Sequence, residues 1–590
     1  MDPRHEYTQR IEQRLAEAAT HFQRFRRVGV VRLAFVGLAL VLAIFIYHGL
    51  SFWWLLVPAF GFFAFAPFQQ RITEQRRRCE RAADLYRRGL ERLADRWAGK
   101  GETGDRFLDR THPYVEDLDL FGTGSLFQLI SIARTRVGEE TLANWFLNPA
   151  TPEVIRARQS AVNELRSGLD VREDLALLAE GIHTGADARA LTNWAAAPPW
   201  HISSAMKWTA RVSALLALIG VALWFAGFGL APLLVALVIG QIYAFSLRRP
   251  MLEVTSSVDA PGKDLQLLVE VLERLEQESF ASPHLAKLRA ELDVAGLPPS
   301  RQIAKLRRLI ELLDSSRNMF FGPIAFILLW QLQCAFAIET WRQRSGPAVG
   351  HWLAAVGEFE ALSSFAGYSF EHPSDPFPTL RDDEVGFTGE QLGHPLLPET
   401  MNVRTSLHLG LKPAVLIVSG SNMSGKSTLL RTVGVNTVLA LAGAPVRAHS
   451  LSLSSVQIGA SIRIQDSLQA GASKFYAEIT RLRQIVDLTK GELPVLFLLD
   501  EILHGTNSHD RKIGAEGVVR GLVARGAIGL VTTHDLALTQ IVDDLNSSAA
   551  NVHFEDHLEN GKMTFDYLLR PGVLQKSNAL ELMRSVGLEI

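Results

Sequence analysis

The densest chemistry in this sequence lies at Gly420-Ser421-Asn422-Met423-Ser424-Gly425-Lys426-Ser427-Thr428. The apolar run Ala414-Val415-Leu416-Ile417-Val418 precedes it and a helical Leu429-Leu430-Arg431 follows. Strand, glycine loop and helix in that order, with Lys and Ser closing the loop, form a phosphate cradle. Gly420 and Gly425 let the backbone curl until successive N–H groups face phosphate oxygens. Lys426 reaches the β and γ phosphates, the Ser427 hydroxyl can bind Mg²⁺, and the helix N-terminus adds its dipole. Downstream, Pro494-Val495-Leu496-Phe497-Leu498-Leu499 is a second apolar strand, ending on Asp500 and Glu501. In a fold of this kind Asp500 would hold Mg²⁺, and Glu501 would orient or deprotonate the attacking water. A third strand, Ile528–Thr533, delivers His534, where a polar side chain can contact the γ phosphate and report its loss.

These blocks together resemble the MutS family of ABC-type ATPases. Ser421–Thr428 is similar to that family's N-M-x-G-K-S-T loop. Asp500-Glu501-Ile502, with Gly505-Thr506-Asn507 and Asp510, is similar to its D-E-x-x-x-G-T block, and Thr533-His534 to its T-H switch. Gly471-Ala472-Ser473-Lys474-Phe475, with Glu478, resembles the signature segment, and Gly393-His394-Pro395 resembles the H-P that opens the ATPase domain. The resemblance implies ATP and Mg²⁺ as cofactors. It also implies a homodimer joined through the ATPase domains, with Ser473 reaching a γ phosphate bound by the partner subunit. In the family an aromatic residue near the C-terminus stacks on adenine, and Tyr567 lies at the matching place. Upstream, Ser125-Leu126-Phe127, Thr135, Gly138, Leu142, Trp145, Pro149, Ile155, Arg158, Gln159 and Val162 resemble the start of the family's helical core, whose closing helix is expected over Val356–Ala366. The likeness covers about 115–205 and 250–590. It implies DNA as a partner by family analogy.

Elements outside those motifs depart from the family. Val28–Leu50 is apolar apart from Arg32, His48 and small residues; Ser51–Phe68 and Val212–Leu247 carry no charge. A spanning helix needs about 20 apolar residues. The pattern predicts two transmembrane hairpins, Val28–Tyr47 with Trp53–Phe68 and Val212–Phe228 with Leu230–Leu247. Four buried core helices are the alternative, but a soluble amphipathic helix should show a polar stripe, which these lack. Arg24, Arg26 and Arg27 precede the first hairpin and Arg71, Arg76, Arg77 and Arg78 follow it; Lys207 and Arg211 precede the second, with Arg248 and Arg249 behind. Basic flanks on both sides place N-terminus and ATPase domain in the cytoplasm of a multi-pass protein of the cell (inner) membrane. Met319–Ile338, uncharged but containing Pro323, Gln331 and Gln333, reads as a buried or membrane-abutting helix. The basic segment 71–100 reads as an amphipathic helix that is solvated or touches phosphate backbone or anionic lipid.

The expected fold is an α/β P-loop ATPase domain of the ABC type at the C-terminus. It is joined to an all-α MutS-core-like helical domain carrying two transmembrane hairpins. The divisions are 1–27, a cytoplasmic N-terminal helix; 28–70, hairpin one; 71–114, a basic helical linker; 115–205, first part of the core; 206–249, hairpin two; 250–375, second part of the core; and 376–590, the ATPase domain. Hairpin one fills much of the chain before the core, so no mismatch-reading domain is expected. The balance of 60 Lys+Arg against 62 Asp+Glu leaves a net charge of −2, which excludes a uniformly basic nucleic-acid protein. A 47% hydrophobic, 21% charged composition excludes a mainly disordered chain. Two cysteines, Cys79 and Cys334, exclude a disulfide framework and a Cys-based zinc site.

Three functions compete. The favoured one is a membrane-anchored MutS-like ATPase that handles DNA. The second is an ATP-driven conformational switch in the membrane without DNA binding. A small ABC transporter fits least, because Gly471–Phe475 is not an L-S-G-G-Q motif and no intramembrane acid marks a path.

Overall fold

A computed structural model describes residues 2–179, 188–256, 262–293, 297–463, 474–503, 506–559 and 562–574. The chain forms two compact units, Met1–Trp97 with Asp170–Leu177, and Ala98–Leu169 with Leu178–Ile590.

The first unit is helical. Its first helix runs without a break over Pro3–Tyr47, so the expected N-terminal helix and first span are one element. Asp2 caps it by accepting from Arg4 N at 3.1 Å, and Pro3 takes a first-turn position where no N–H is needed. The chain returns through Phe52–Leu55, Leu56–Ala64 and Ala66–Leu93. Gly61 lies under the Phe35 ring and Gly89 against Tyr7, so the two arms meet where a glycine removes a side chain. The basic foot is organised around buried Glu173, which takes Arg14 Nη2 at 2.8 Å and the Tyr86 hydroxyl at 2.5 Å. The apolar stretch above it is not buried by protein.

The second unit holds the helical core and the α/β domain. The helix expected over Val356–Ala366 extends over Trp330–Glu371 and is almost continuously buried from Val356 onward. Within it Glu360 accepts from the backbone N–H groups of Arg134 (3.0 Å) and Thr135 (3.2 Å) and from the Thr135 hydroxyl. This ties the helix to the N-terminus of Arg136–Leu147, which Thr135 caps. The uncharged run Met319–Ile338 is not one helix. It breaks at Leu329, whose φ is +50°, between Gly322–Ile327 and Trp330–Glu371. Met319 and Phe320 are exposed while Leu332, Phe336 and Ile338 are buried.

The second hairpin pairs Ser204–Phe225 with Ala231–Ser246. A Cβ on Gly220 would stand 2.7 Å from Leu233 Cα, the close approach small residues permit. By length and composition, three helical stretches among the described residues can cross a membrane: Pro3–Tyr47, Phe52–Leu93 and Ser204–Phe225. Ala231–Ser246 with Arg248–Thr255, bent by 64°, makes a fourth if counted as one span.

Among the described residues the α/β domain contains ten strands: β1 Thr379–Arg381, β2 Phe387–Leu392, β3 Thr405–Leu409, β4 Val415–Ser419, β5 Ser450–Ser454, β6 Gln457–Ser461, β7 Val495–Asp500, β8 Ile528–Thr533, β9 Ala549–Glu559 and β10 Lys562–Pro571. One sheet has the order β1-β5-β2-β3, the other β10-β9-β4-β8-β7-β6. In the larger sheet all neighbours run parallel except β9 and β10. Strands β4 and β8 are buried along their whole length, as a parallel sheet covered on both faces requires. The order sets β8 between β4 and β7, so three strands that are far apart in sequence end side by side.

Candidate functional site

The loop after β4 and the carboxyl end of β7 meet at one cavity of about 780 Å³, with the end of β8 beside β7. Open α/β sheets place ligands at this edge. The loop after β4 turns into helix Lys426–Ala442 at Gly425, whose φ of +100° is left-handed. A Cβ there would also stand 3.1 Å from the Tyr567 ring. Lys426 is buried, and its ammonium donates to Gly420 O at 2.8 Å and Ser421 O at 2.9 Å. It also faces Glu501 Oε1 at 3.2 Å. Ser427 lines the cavity, as do Asn422, Met423, Gly425 and Thr428.

Asp500 and Glu501 enter from the end of β7. Asp500 accepts from the Thr532 hydroxyl, which in turn receives Glu501 N at 3.1 Å. Glu501 has φ +45°, a strained backbone for a non-glycine residue. Its carboxylate lies 3.3 Å from His534 Nδ1. Burial works against the charged form of Glu501, but Lys426 and His534 outweigh it and hold the carboxyl below its ordinary value. It is therefore ionised at neutral pH, as a base must be.

The structure thus brings together Lys426, Ser427, Asp500, Glu501 and Tyr567 around one cavity, with His534 against Glu501. Tyr567 arrives from the distant β10, at a register break between Phe565 and Leu569 and with φ +57°. Ser473, with Gly471 and Ala472, lies outside the described residues. Glu478 of that segment is buried on helix Lys474–Leu488 and accepts from Leu503 N, so it braces the loop after Glu501. His394 also lines the cavity; burial, aided by Arg431, pushes its imidazole down to about 4, so it is neutral. Sequence reading missed the wall formed by Thr400, Met401, Asn402 and Val403. No spacing marks these residues. The nearest signal is His394, whose backbone N–H donates to Asn402 Oδ1 at 3.0 Å.

Two observations fit a polyphosphate here. The Ser421 and Ser424 hydroxyl oxygens are buried and have no hydrogen-bond partner among the described residues. The only buried cation on the loop, Lys426, points into the same curl. Hard oxygen donors for a divalent cation come from Ser427 and Asp500. Among the described residues no group of three or more His, Cys, Asp or Glu is arranged to hold a metal by itself.

Residues 416–589 match the family model described as MutS domain V. The site described above lies inside that MutS domain V, apart from its 392–405 wall. A DNA mismatch repair protein MutS 2 of Halobacterium salinarum is 33% identical over 244 residues, which is 41% of this chain and 27% of that protein. An endonuclease MutS2 of Thermus thermophilus is 32% identical over 203 residues, 33% of this chain and 25% of its own. A DNA mismatch repair protein MutS of Listeria monocytogenes is 32% identical over 235 residues, 39% and 27%. The chain therefore spans about a quarter of the length of these relatives. The likeness to proteins named MutS and MutS2 thus covers 33–41% of this chain, and the family model matches only its C-terminal part.

Proposed function

We propose that this protein is a membrane-anchored MutS-like ATPase that works as a homodimer and handles DNA. The observation that carries the reading is the convergence of Lys426, Ser427, Asp500 and Glu501 on one cavity within a MutS domain V. Lys426 and the loop N–H groups hold the phosphates of ATP. Ser427 and Asp500 would hold Mg²⁺, which when bound would neutralise charge on the phosphates. Glu501 takes the proton of the water that attacks the γ phosphorus, and ADP departs with the bridging oxygen. His534 senses the γ phosphate and Tyr567 stacks on adenine. Ser473 of each chain completes the site of its partner. The exposed apolar helices support anchoring, with both termini cytoplasmic as their basic flanks predict.

A second reading, an ATP-driven switch in the membrane without DNA binding, is favoured by one fact: the likeness to DNA-repair proteins covers 41% of the chain or less among these relatives. ATPase assays on the full chain in detergent separate the two. Stimulation of Mg²⁺-dependent phosphate release by duplex DNA, with binding that weakens as salt rises, is the result expected of the first. Turnover indifferent to DNA, with no DNA bound at low salt, selects the second.

A further inference from the structure

A second cavity, of about 350 Å³, lies in the helical core at the foot of the second hairpin. Three helices wall it: Ser204–Phe225, Pro299–Ser315 and Trp330–Glu371. Four cations line it, Lys207, Arg211, Lys305 and Arg344, and no acid does. Lys207 Nζ donates to Thr340 Oγ1 at 3.0 Å, and Arg211 stands 5.6 Å from the Trp208 ring. None of the four makes an ion pair among the described residues. The acids on the same helices are committed elsewhere. Glu339 is buried against Arg342 at 2.7 Å, Glu311 faces Arg307 at 3.4 Å and Asp314 faces Arg317 at 3.5 Å. Concentrating like charge around one concavity costs free energy unless an anion enters it.

What lies above the cations indicates the anion. Lys207, Arg211, Leu215 and Leu218 follow at helical spacing on one face of Ser204–Phe225. Leu215 is 57% exposed and Leu218 46%, and the apolar surface continues along the hairpin. A cationic cup beneath an exposed aliphatic stripe matches a molecule with a phosphate head and hydrocarbon tails. Free phosphate would use only the cup. A duplex would find its phosphates facing an apolar wall.

We propose that this cavity binds the phosphate-bearing head group of an anionic phospholipid, whose acyl chains lie along the second hairpin. The proposal rests on the membrane reading above. It makes the cavity the contact through which lipid charge bears on Trp330–Glu371, the helix that runs on into the core.

The test titrates full-length protein in neutral detergent with dioctanoyl phosphatidylglycerol, following heat of binding. Separate arms use dioctanoyl phosphatidylcholine, inorganic phosphate and a short DNA duplex. Saturable binding of the anionic lipid is expected, weakened roughly tenfold or more in Lys305→Glu/Arg344→Glu and kept in Lys305→Arg/Arg344→Lys. Lys207→Gln/Arg211→Gln, at the exposed foot, should weaken it too and guards against misfolding of the first pair. Native lipid affinity in both the Lys305→Glu/Arg344→Glu and the Lys207→Gln/Arg211→Gln pairs overturns the proposal. So does phosphate binding as tightly as the lipid, or a loss confined to the DNA arm. Alkaline extraction of membranes tests the anchoring separately. An extractable chain that still binds the lipid through these residues refutes anchoring and keeps the cavity. A resistant chain with unchanged variants refutes the cavity alone.

Discussion

Lys426 has three protons and three acceptors, Gly420 O, Ser421 O and Glu501. A phosphate entering the loop must take at least one of them, and the Glu501 contact, at 3.2 Å, is the longest. In the proposed mechanism, entry of the ATP phosphates would therefore free Glu501 from Lys426. Lys426→Ala should abolish ATP binding, read with a fluorescent nucleotide at equilibrium. Glu501→Gln should retain binding and lower kcat by about 10²–10⁴-fold, since an amide cannot take the proton. Phosphate release by Glu501→Gln at the native rate would show that another group is the base. Gly425→Ala should weaken nucleotide binding as well, because the new methyl group meets both a φ of +100° and the Tyr567 ring.

Among elements, the connections between core and site are polar and specific. Asp117, ahead of the core helices, accepts from Ile462 N and Arg463 N, both at 2.7 Å, while Asp119 pairs with Arg463 at 2.5 Å and with Arg431 of the loop helix at 3.4 Å. This loop thus touches both the helix that carries Lys426 and the strand end leading toward 464–473. Farther into the core, burial raises the Glu360 carboxyl from 4.5 to about 7 against the hydrogen bonds from Thr135 and Arg134 that favour its charged form. A raised carboxyl pKa means that the unfolded chain loses this proton first as pH rises. The contribution of Glu360 to stability therefore falls between pH 4.5 and 7 and levels off above. Glu360→Gln keeps an oxygen for the two N–H groups and should flatten that fall. Apparent unfolding temperature across this pH range checks it, and an unchanged slope in the variant would assign the pH dependence to other groups.

For the whole molecule, the proposed dimer and the apolar helices make separate demands. A site that draws Ser473 from a partner needs two chains about a two-fold axis. Ser473→Arg and Lys426→Ala chains, each inactive alone, should regain ATPase activity when mixed, because one composite site then carries both lesions and the other neither. Absence of recovery in demonstrated mixed dimers would mean that the site is built within one chain or that both sites must act together. Long apolar helices whose surfaces protein does not bury should hold the chain in membranes through alkaline washing. Reporters at Ala196 and Ile590 should both read as cytoplasmic, and an external C-terminus would refute the four-span topology.

The glycine loop, the acidic pair and His534 were legible because their spacing is local: a few residues at fixed intervals, each beside an apolar strand. The apolar hairpins were legible for a similar reason, since uncharged length is a one-dimensional property. The sequence alone did not show that Val28–Tyr47 continues back to Pro3, because a polar solvated turn and an apolar one share the same backbone geometry. It also left open what the Met319–Ile338 run does, and the break at Leu329 came from packing rather than composition. Tertiary structure decided that β8 separates β4 from β7, that Tyr567 reaches Gly425, and that Thr400–Val403 wall the cavity. It also set Glu360 under the cap of a helix more than two hundred positions earlier in the chain. Strand neighbours, cavity walls and buried polar pairs join residues with no spacing relation. They are settled by which apolar faces bury one another, and no local pattern records that choice.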